Sequence, residues 1–170
     1  DITKGLHIHQ VKATVSAATT QLNGLVNHAG TAFPAPLELL PLDDLRAQLE
    51  INVIAQLAVV QALLPLLKAA PGTIINISSD SGRVAFPITG SYHMSKFALE
   101  AMSDVLRIEL APFGVRVVVL EPGSSPTAIW DTSRRRAMAA ISGSGISSYA
   151  PLIAAVEGAA ARRAAGGFPP

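Results

Sequence analysis

The first part of the chain shows one apolar stripe at helical spacing. Val11, Val15, Ala18 and Leu22 recur at intervals of four, three and four residues. This spacing places them on one side of a helix and predicts an amphipathic helix over about residues 5–22.

Two periodicities then alternate along the chain. Short runs rich in valine and isoleucine predict strands over 25–28, 73–78 and 115–121, and longer apolar segments predict helices over 43–69 and 91–112. Because the strand runs are almost continuously apolar, the pattern predicts an α/β fold whose parallel sheet is covered on both faces. In such sheets, ligands bind beyond the carboxyl ends of the strands.

Other segments refine this expectation. The segment 43–69 is apolar nearly all round from Ile54, so we expect its second side to be covered by a further layer or a second subunit. Alanine-rich patterns predict helical segments around 132–141 and 151–165, separated by a Ser/Gly-rich stretch.

Length and composition restrict the class of protein. A chain of 170 residues predicts a single domain over 1–170. The 13 Lys and Arg residues nearly balance the 12 Asp and Glu residues, so the net charge of +1 gives no electrostatic reason to bind nucleic acid or an anionic membrane. The absence of cysteine excludes disulfides and thiolate metal sites, and no His/Asp/Glu spacing suggests a metal.

No segment has the pattern of a signal peptide. The longest apolar tract, Ile51 to Leu67, is interrupted by Asn52, Gln56 and Pro65, which argues against a membrane span. We therefore expect a soluble, cytoplasmic protein.

Tyr92 and Lys96 carry the clearest chemical signal. Four residues apart in a predicted helix, they lie on the same face, and an ammonium beside a phenol favours the phenolate. Such a pair is suited to exchanging a proton with a carbonyl or an alcohol. Ser79 follows the predicted strand 73–78, thirteen residues before Tyr92.

Four motifs occur in order at or near the predicted site: Asn27–Gly30, Asn76–Ser79, Tyr92–Lys96 and Pro122–Gly123. They resemble the N-N-A-G, N-x-S, Y-x-x-x-K and P-G motifs of the short-chain dehydrogenase/reductase family. The residues after Ser95 look most like its retinol, hydroxysteroid and 3-hydroxybutyrate dehydrogenase branch. The resemblance implies a Rossmann-like, doubly wound parallel sheet and an NAD(P)-dependent oxidoreductase that interconverts an alcohol and a ketone or aldehyde.

The resemblance also implies catalytic roles. Tyr92 would be the general acid/base, Lys96 would lower its pKa, Ser79 would hydrogen-bond the substrate oxygen, and Asn52 would complete a proton relay through water. From the residues alone, Asn52 fits a plain buried hydrogen-bond network equally well. Ser79 alone would be a turn or cap residue, with Ser78 and Ser81 competing for its role.

The cofactor, NAD or NADP, would be bound by residues spread along the chain. The resemblance assigns to it Asp1, Asn27, Ala29, Gly30, Tyr92, Lys96, Pro122, Gly123 and Thr127. The other interpretation of Asn27–Gly30 is an ordinary turn after a strand. His28 departs from the second Asn of the motif, and we expect it to be a buried histidine. Residues 84–88 form either an apolar substrate wall or a loop anchor.

The family's glycine-rich segment, which binds the pyrophosphate and helps to select NAD or NADP, is not found before Asp1. We therefore expect a domain that is incomplete at both ends and that does not bind NAD(P) tightly by itself. Two alternatives remain: a non-catalytic scaffold on the same fold, and epimerase or dehydratase chemistry with bound NAD. The expected partners are a small alcohol or carbonyl substrate and further copies of the chain, in a homodimer or homotetramer formed through helices 43–69 and 91–112.

Overall fold

The computed structural model describes residues 1–123 and 146–165 of the chain. Helices and parallel strands alternate through the first of these ranges. In chain order the elements are α1 (Gly5–Ala18), β1 (Gly24–Asn27), α2 (Leu42–Leu49), a π-helical turn (Glu50–Ile54), α3 (Ala55–Lys68), β2 (Thr73–Ile77), a 3₁₀ turn (Asp80–Gly82), α4 (Gly90–Leu110), a 3₁₀ turn (Ala111–Phe113), β3 (Arg116–Leu120) and α5 (Ile146–Ala165).

The three strands form one parallel sheet in the order β1-β2-β3. Leu25 is paired with Ile74, and Ile74 with Val117, so these three side chains lie in one row across the sheet. The predicted α/β architecture with a parallel sheet is confirmed, and the strand bounds differ from the predicted ones by a residue at their ends.

The face that carries this row is buried under helices. Its core cluster joins residues of α3, α4, the sheet and the segment just before β3: Val60, Leu67, Ile74, Leu106, Leu110, Val115 and Val117. The same face buries a chain of polar side chains. Asn27 Nδ2 donates to Asn76 Oδ1 at 2.8 Å, and Asn76 Nδ2 donates to Ser103 Oγ at 2.8 Å. The buried amides are thus paired with each other and with α4, as burial of polar groups requires.

The opposite face of the sheet is exposed in the described part of the chain. Val26 is 58% exposed, Val118 38% and Leu120 47%. Alternate residues of a strand point to opposite faces, which explains why these side chains are exposed while their neighbours are buried. The sequence predicted a sheet covered on both faces, and among the described residues only one face is covered.

The predicted helix 43–69 is one continuous helical stretch with a wider turn in its middle. The π-helical turn Glu50–Ile54 lies between α2 and α3 and contains the buried Asn52. By length and composition the whole stretch Leu42–Lys68 would be able to cross a membrane, and 28% of its most apolar window is buried inside the protein. Its polar residues Gln48, Asn52 and Gln56 are buried against the loop after β1.

The remaining helices differ from the prediction in their ends. The first helix ends at Ala18 rather than near residue 22, and none of its residues is buried. Helix α4 is followed by the 3₁₀ turn, which Gly114 ends with φ of 72°, a conformation that glycine adopts without strain. The segment predicted around 132–141 lies outside the described residues, and the one predicted over 151–165 is part of α5.

Gly72 provides a test of the packing between α3 and the start of β2. A Cβ at this position would lie 2.9 Å from both Leu22 O and Leu67 Cδ2. We expect Gly72→Ala to lower the free energy of unfolding by about 1–3 kcal/mol, because backbone and core must shift to admit the methyl group. Urea denaturation of the purified protein would measure this change.

Gly24→Ala is the matched control, since the nearest atom to a Cβ there is Thr73 O at 3.7 Å. This variant should unfold within about 0.5 kcal/mol of the unsubstituted protein. Equal destabilisation by both substitutions would show that the contacts at Gly72 do not limit the packing.

Candidate active site

The carboxyl ends of β2 and β3 are fastened together. The backbone N–H of Ser78 donates to Leu120 O at 2.8 Å, and that of Asp80 donates to Pro122 O at 3.2 Å. These bonds place the segment after β2 beside Pro122 and Gly123, at the edge of the sheet where ligands bind in this type of fold.

Ser79 begins the 3₁₀ turn after β2. Its Oγ accepts a hydrogen bond from the backbone N–H of Ser81 at 3.2 Å and donates to Asp80 Oδ1 at 3.0 Å. Burial raises the pKa of the Tyr92 phenol, and the nearby Ser79 side chain opposes that shift. Ser79 is therefore a turn residue, as its residue type predicts, and it also lies beside Tyr92, as the catalytic interpretation requires.

Tyr92 and Lys96 lie one turn apart near the start of α4. Lys96 Nζ lies 5.5 Å from the centroid of the Tyr92 ring and donates a hydrogen bond to Ile77 O at 2.8 Å. Lys96 is 4% exposed. The structure therefore brings Ser79, Tyr92 and Lys96 to one place at the end of β2.

The protonation of this pair is governed by burial. Burial raises the pKa of Tyr92, the nearby Ser79 side chain lowers it, and the negative charge of Asp80 raises it. The net shift of the Tyr92 pKa is therefore upward, and the role of Lys96 in lowering that pKa stays a prediction. Burial lowers the pKa of Lys96 to about 8, against the opposing effect of the nearby carboxylate of Glu100. At neutral pH the phenol is protonated and can donate a proton, and the amine is mainly charged.

Asn52 is fully engaged in a buried network. Its Oδ1 accepts from the backbone N–H of Thr31 at 2.9 Å, and its Nδ2 donates to Thr31 O and to Ser95 Oγ, both at 3.0 Å. The Asn52 side chain thus makes the buried hydrogen bonds that were expected for a polar residue in an apolar helix. The proton relay assigned to Asn52 by resemblance stays a prediction.

Two glutamines extend this network along the same helical stretch. Gln48 Oε1 accepts from the backbone N–H of Phe33 at 2.8 Å, Gln48 Nε2 donates to Thr31 O, and Gln56 Nε2 donates to Ala29 O at 2.6 Å. Residues 48, 52 and 56 form an amide ladder that fixes the backbone of the loop after β1. The four-residue spacing of these amides in an apolar helix was the signal that could have revealed it.

The predicted cofactor residues fall in several environments. The Asn27 amide is buried against Asn76, whereas Ala29 and Gly30 are exposed beyond the end of β1. Asp1 accepts hydrogen bonds from the N–H and hydroxyl of Thr3, at 3.0 and 2.8 Å, and is exposed. Thr127 lies outside the described residues, and Pro122 and Gly123 are exposed at the end of β3. The structure therefore does not bring Asn27 and Asp1 into contact with Tyr92 and Lys96.

The loop 83–89 borders the site. Val84 is 45% exposed and Phe86 is 40% exposed, and Ile88 is held at φ of 70° by a bond from the Ala35 N–H to its carbonyl. A β-branched residue in this conformation is strained. The loop is thus anchored at Ile88 and open to solvent near Phe86.

The two histidines near the site differ from each other. His28 is exposed, so the expectation that it is buried is wrong. His93 is buried between α4 and the segment after β2, where Nδ1 bonds to Ser81 O and Nε2 accepts from the Phe86 N–H, both at 2.9 Å. His93 therefore connects the loop 83–89 to the helix.

A group of charged residues at the site was missed from the sequence. Arg83 donates from Nε and Nη2 to Glu121 Oε1 at 3.0 and 2.8 Å, and its Nη2 lies 3.1 Å from Glu100 Oε2. The second contact is an ion pair without hydrogen-bond alignment, and the Glu100 carboxylate is buried. Lys96 and Glu100 are four residues apart on α4, a spacing that could have indicated their proximity.

Comparison with known proteins agrees with this arrangement. Residues 1–137 match the sequence profile described as short chain dehydrogenase. A 3-amino-tetrahydro-pyrrolizinone reductase of Xenorhabdus hominickii is 52% identical over 108 residues, which are 64% of this chain and 38% of that protein. Retinol dehydrogenase 5 of Mus musculus is 45% identical over 126 residues, 72% of this chain and 39% of that protein.

Solved structures show the same fold. A gluconate 5-dehydrogenase from Burkholderia cenocepacia, in complex with NADP and tartrate, superposes with a TM-score of 0.72 at 27% identity, over 76% of this chain and 51% of that one. Structurally similar proteins hold NAD⁺ or NADP. The predicted resemblance and the Rossmann-like fold are confirmed, and the chain spans less than half the length of the two relatives described above.

Glu100 supplies a test of the electrostatics at Lys96. We expect Glu100→Gln to lower the pKa of Lys96 below about 8, because burial still disfavours the ammonium and the opposing carboxylate charge is lost. NMR titration of the Lys96 side chain would measure the shift.

Glu109→Gln is the matched control, since Glu109 is an exposed glutamate on the same helix. It should leave the Lys96 titration unchanged. A Lys96 pKa that is unaffected by Glu100→Gln, or that rises, would contradict the electrostatic role assigned to the buried carboxylate.

Proposed function

Because this chain belongs to the short-chain dehydrogenase/reductase family, we propose that it functions in an NAD(P)-dependent oxidoreductase that interconverts an alcohol and a ketone or aldehyde. The observation that supports this most directly is the convergence of Ser79, Tyr92 and Lys96 at the carboxyl end of β2. These groups provide a proton donor, a buried cation and a hydroxyl at one location.

The chemistry of the donor set fits the nicotinamide half of such a cofactor. A lysine ammonium has three N–H donors, and the structure shows one of those of Lys96 bonded, to Ile77 O. The others suit the hydroxyls of a ribose, and the backbone of Ala29, Gly30, Pro122 and Gly123 lies exposed at the same edge of the sheet. When bound, the nicotinamide supplies or accepts the hydride.

Tyr92 then performs the proton transfer. In the direction of reduction its phenol would give a proton to the carbonyl oxygen of the substrate, and in oxidation the phenolate would take the proton from the alcohol. The raised pKa of Tyr92 keeps the proton on the phenol at neutral pH, which suits reduction. Lys96 stabilises the phenolate that forms, and Ser79 holds the substrate oxygen once its hydroxyl turns from Asp80.

The substrate class follows in part from the loop after Ser79. The exposed side chains of Val84 and Phe86 border the site and suit an apolar substrate body. One relative is named for reducing an amino-substituted pyrrolizinone and another for acting on retinol. We propose a small alcohol or carbonyl substrate with an apolar frame.

Replacement of Tyr92 tests the proposal. In the complete gene product, Tyr92→Phe keeps the ring packing and removes the proton donor, so kcat should fall by about 10²–10⁴-fold while the fold is retained. The assay follows NADH or NADPH absorbance with a panel of ketones and alcohols, and circular dichroism checks the fold.

Tyr149→Phe is the control, since Tyr149 is the other tyrosine of the sequence and bonds through its hydroxyl to Glu38. It should keep its rate within about twofold, as surface changes away from the chemistry usually do. A Tyr92→Phe enzyme that retains half of its rate would assign the proton transfer to another group. Absence of turnover with either cofactor in the unsubstituted protein would favour the non-catalytic scaffold.

We also propose that the protein is a homodimer or homotetramer formed through α3 and α4. An apolar stripe lies exposed on α4, where Met94 is 46% exposed, Phe97 46%, Val105 52% and Ile108 76%, and Ile54 in the π-helical turn before α3 is 54% exposed. Contiguous exposed apolar surface of this kind is typical of subunit contacts.

Ile108→Lys should convert the assembly to monomers, because burying an isoleucine contributes about 1.5–3 kcal/mol that a buried lysine charge would reverse. Light scattering on the eluate of a sizing column would measure the mass. Leu6→Lys is the matched control, since Leu6 is 68% exposed but lies on α1. A monomeric unsubstituted protein at tens of micromolar would contradict the proposal.

A further inference from the structure

His93 is a buried side chain beside the site that the proton transfer does not use. It is 4% exposed, its Nδ1 lies 2.9 Å from Ser81 O, and its Nε2 accepts from the Phe86 N–H at 2.9 Å. A carbonyl oxygen can only accept and a backbone N–H can only donate, so Nδ1 carries the proton and Nε2 offers its lone pair. The two bonds therefore define a neutral imidazole in a single tautomer.

This imidazole joins three segments that meet at the site. Ser81 lies in the 3₁₀ turn that begins after Ser79. Phe86 lies in the loop that follows this turn, and His93 is next to Tyr92 on α4. The bonds of His93 thus tie the loop to the turn and to the helix that carry the two hydroxyls of the site.

Phe86 contacts His93 through its ring as well as its backbone. The two ring centroids are 5.6 Å apart and the planes are inclined by 58°, a tilted arrangement that is favourable between aromatic rings. The Phe86 side chain is 40% exposed, so part of the ring remains open to a ligand at the border of the site. One imidazole therefore orients both the peptide and the ring of this residue.

The end of the loop is held in a conformation that isoleucine disfavours. Ile88 has φ of 70°, and its carbonyl accepts from the Ala35 N–H at 2.7 Å. A Cβ at Gly90 would lie 2.8 Å from Leu37 Cδ2, so the chain here passes close against the loop after β1. Strain of this kind persists only where the surrounding contacts impose it. The loop 83–89 is therefore restrained at its end as well as at its middle, where His93 contributes.

We propose that His93 is a positioning residue: it holds Phe86 as an apolar wall of the substrate cleft, and this wall favours carbonyl substrates with an apolar ring frame over small acyclic ones. The inference rests on the proposed oxidoreductase function. A frame that reaches the Phe86 ring buries apolar surface against it, whereas a ketone with only methyl groups is too short to do so. Since this contact lies away from the reacting carbonyl, its loss should raise KM and leave kcat nearly unchanged.

Two amide variants separate the two bonds of His93. His93→Gln places an acceptor near the position of Nε2 and can keep the bond from Phe86, whereas His93→Asn reaches only to the position of Nδ1, beside Ser81. In the complete gene product, His93→Asn should raise the KM for 4-methylcyclohexanone by about tenfold, the size expected for one apolar contact in a pocket. His93→Gln should stay close to the KM of the unsubstituted protein. The KM for acetone should hardly change in either variant.

His9→Asn is the matched control, since His9 is an exposed histidine on α1, and it should leave both KM values unchanged. Circular dichroism and thermal unfolding check that each variant is folded. An unchanged KM for 4-methylcyclohexanone in His93→Asn would overturn the inference, as would a fall of kcat by the same factor for both ketones. Both results would leave the oxidoreductase function intact.

A double-mutant cycle shows whether His93 acts through Phe86. Phe86→Ala removes the ring and should raise the KM for 4-methylcyclohexanone about as much as His93→Asn does. In the Phe86→Ala background, His93→Asn should have little further effect, because the wall that it positions is already absent. Effects of the two substitutions that simply add would show that His93 acts on the substrate by another route, which would overturn the inference.

The tautomer is tested in the unsubstituted protein. Nitrogen-15 NMR distinguishes a protonated from an unprotonated imidazole nitrogen, and we expect a proton on Nδ1 of His93 and none on Nε2. A proton on Nε2 would exclude the bond from Phe86 and overturn the inference. This measurement requires neither turnover nor a folded variant.

Absence of turnover with both ketones would count against the proposed function for these substrates, and binding then decides the inference. Thermal-shift titration with 4-methylcyclohexanol, with NAD⁺ or NADP⁺ present, compares the unsubstituted protein with His93→Gln and His93→Asn. Binding that is weakened in His93→Asn and kept in His93→Gln would support the positioning role. Equal binding by all three proteins would overturn it.

Discussion

The attachment of helix α4 to strand β2 is the constraint on which the site depends. Two side-chain bonds fasten the helix to the strand: Lys96 Nζ to Ile77 O at 2.8 Å, and Asn76 Nδ2 to Ser103 Oγ at 2.8 Å. Asn76 and Ile77 are the last two residues of the strand, whereas Lys96 and Ser103 lie two turns apart on one face of the helix, so together the bonds set the rotation of the helix as well as its height. Tyr92 meets Ser79 because α4 is held in this position.

This attachment has an energetic cost that the neighbouring residues reduce. A buried ammonium is unfavourable unless it is paired and hydrogen-bonded, and the lowered pKa of Lys96 is a measure of that cost. Ile77 O supplies the hydrogen bond and Glu100 supplies the opposite charge. The buried carboxylate in turn requires Arg83, which connects it to Glu121 at the end of β3. The charged residues around the site are thus linked from one strand end to the other.

The loop after β1 is positioned by a separate device, the amide ladder of Gln48, Asn52 and Gln56. In a regular α-helix, residues four apart drift by about 40° around the axis, so three such amides would gradually leave one face. The π-helical turn that contains Asn52 widens the helix at this point, which suits the alignment of the three side chains. The irregular turn and the polar residues therefore serve one purpose, which is to hold the backbone of residues 29–33.

The order and type of the helices and strands could be predicted from the sequence. Runs of Val and Ile predict strands, and apolar residues at helical spacing predict helices, because both signals are local. Ser79 and Pro122–Gly123 each follow a parallel strand, so the topology alone places them at the same edge of the sheet. The pairing of Tyr92 with Lys96 follows for the same reason, since it depends only on helix geometry.

The contacts between elements distant in sequence could not be predicted, because they depend on how the chain folds. The burial that raises the pKa of Tyr92, the engagement of Asn27 with Asn76 and the exposure of His28 depend on which surfaces pack together. The position of Asp80 against the Ser79 hydroxyl depends on the conformation of a turn held by Pro122, which follows another strand. Local sequence pattern carries no information about such partners, because a side chain's pKa and hydrogen bonds are set by neighbours that the fold brings to it.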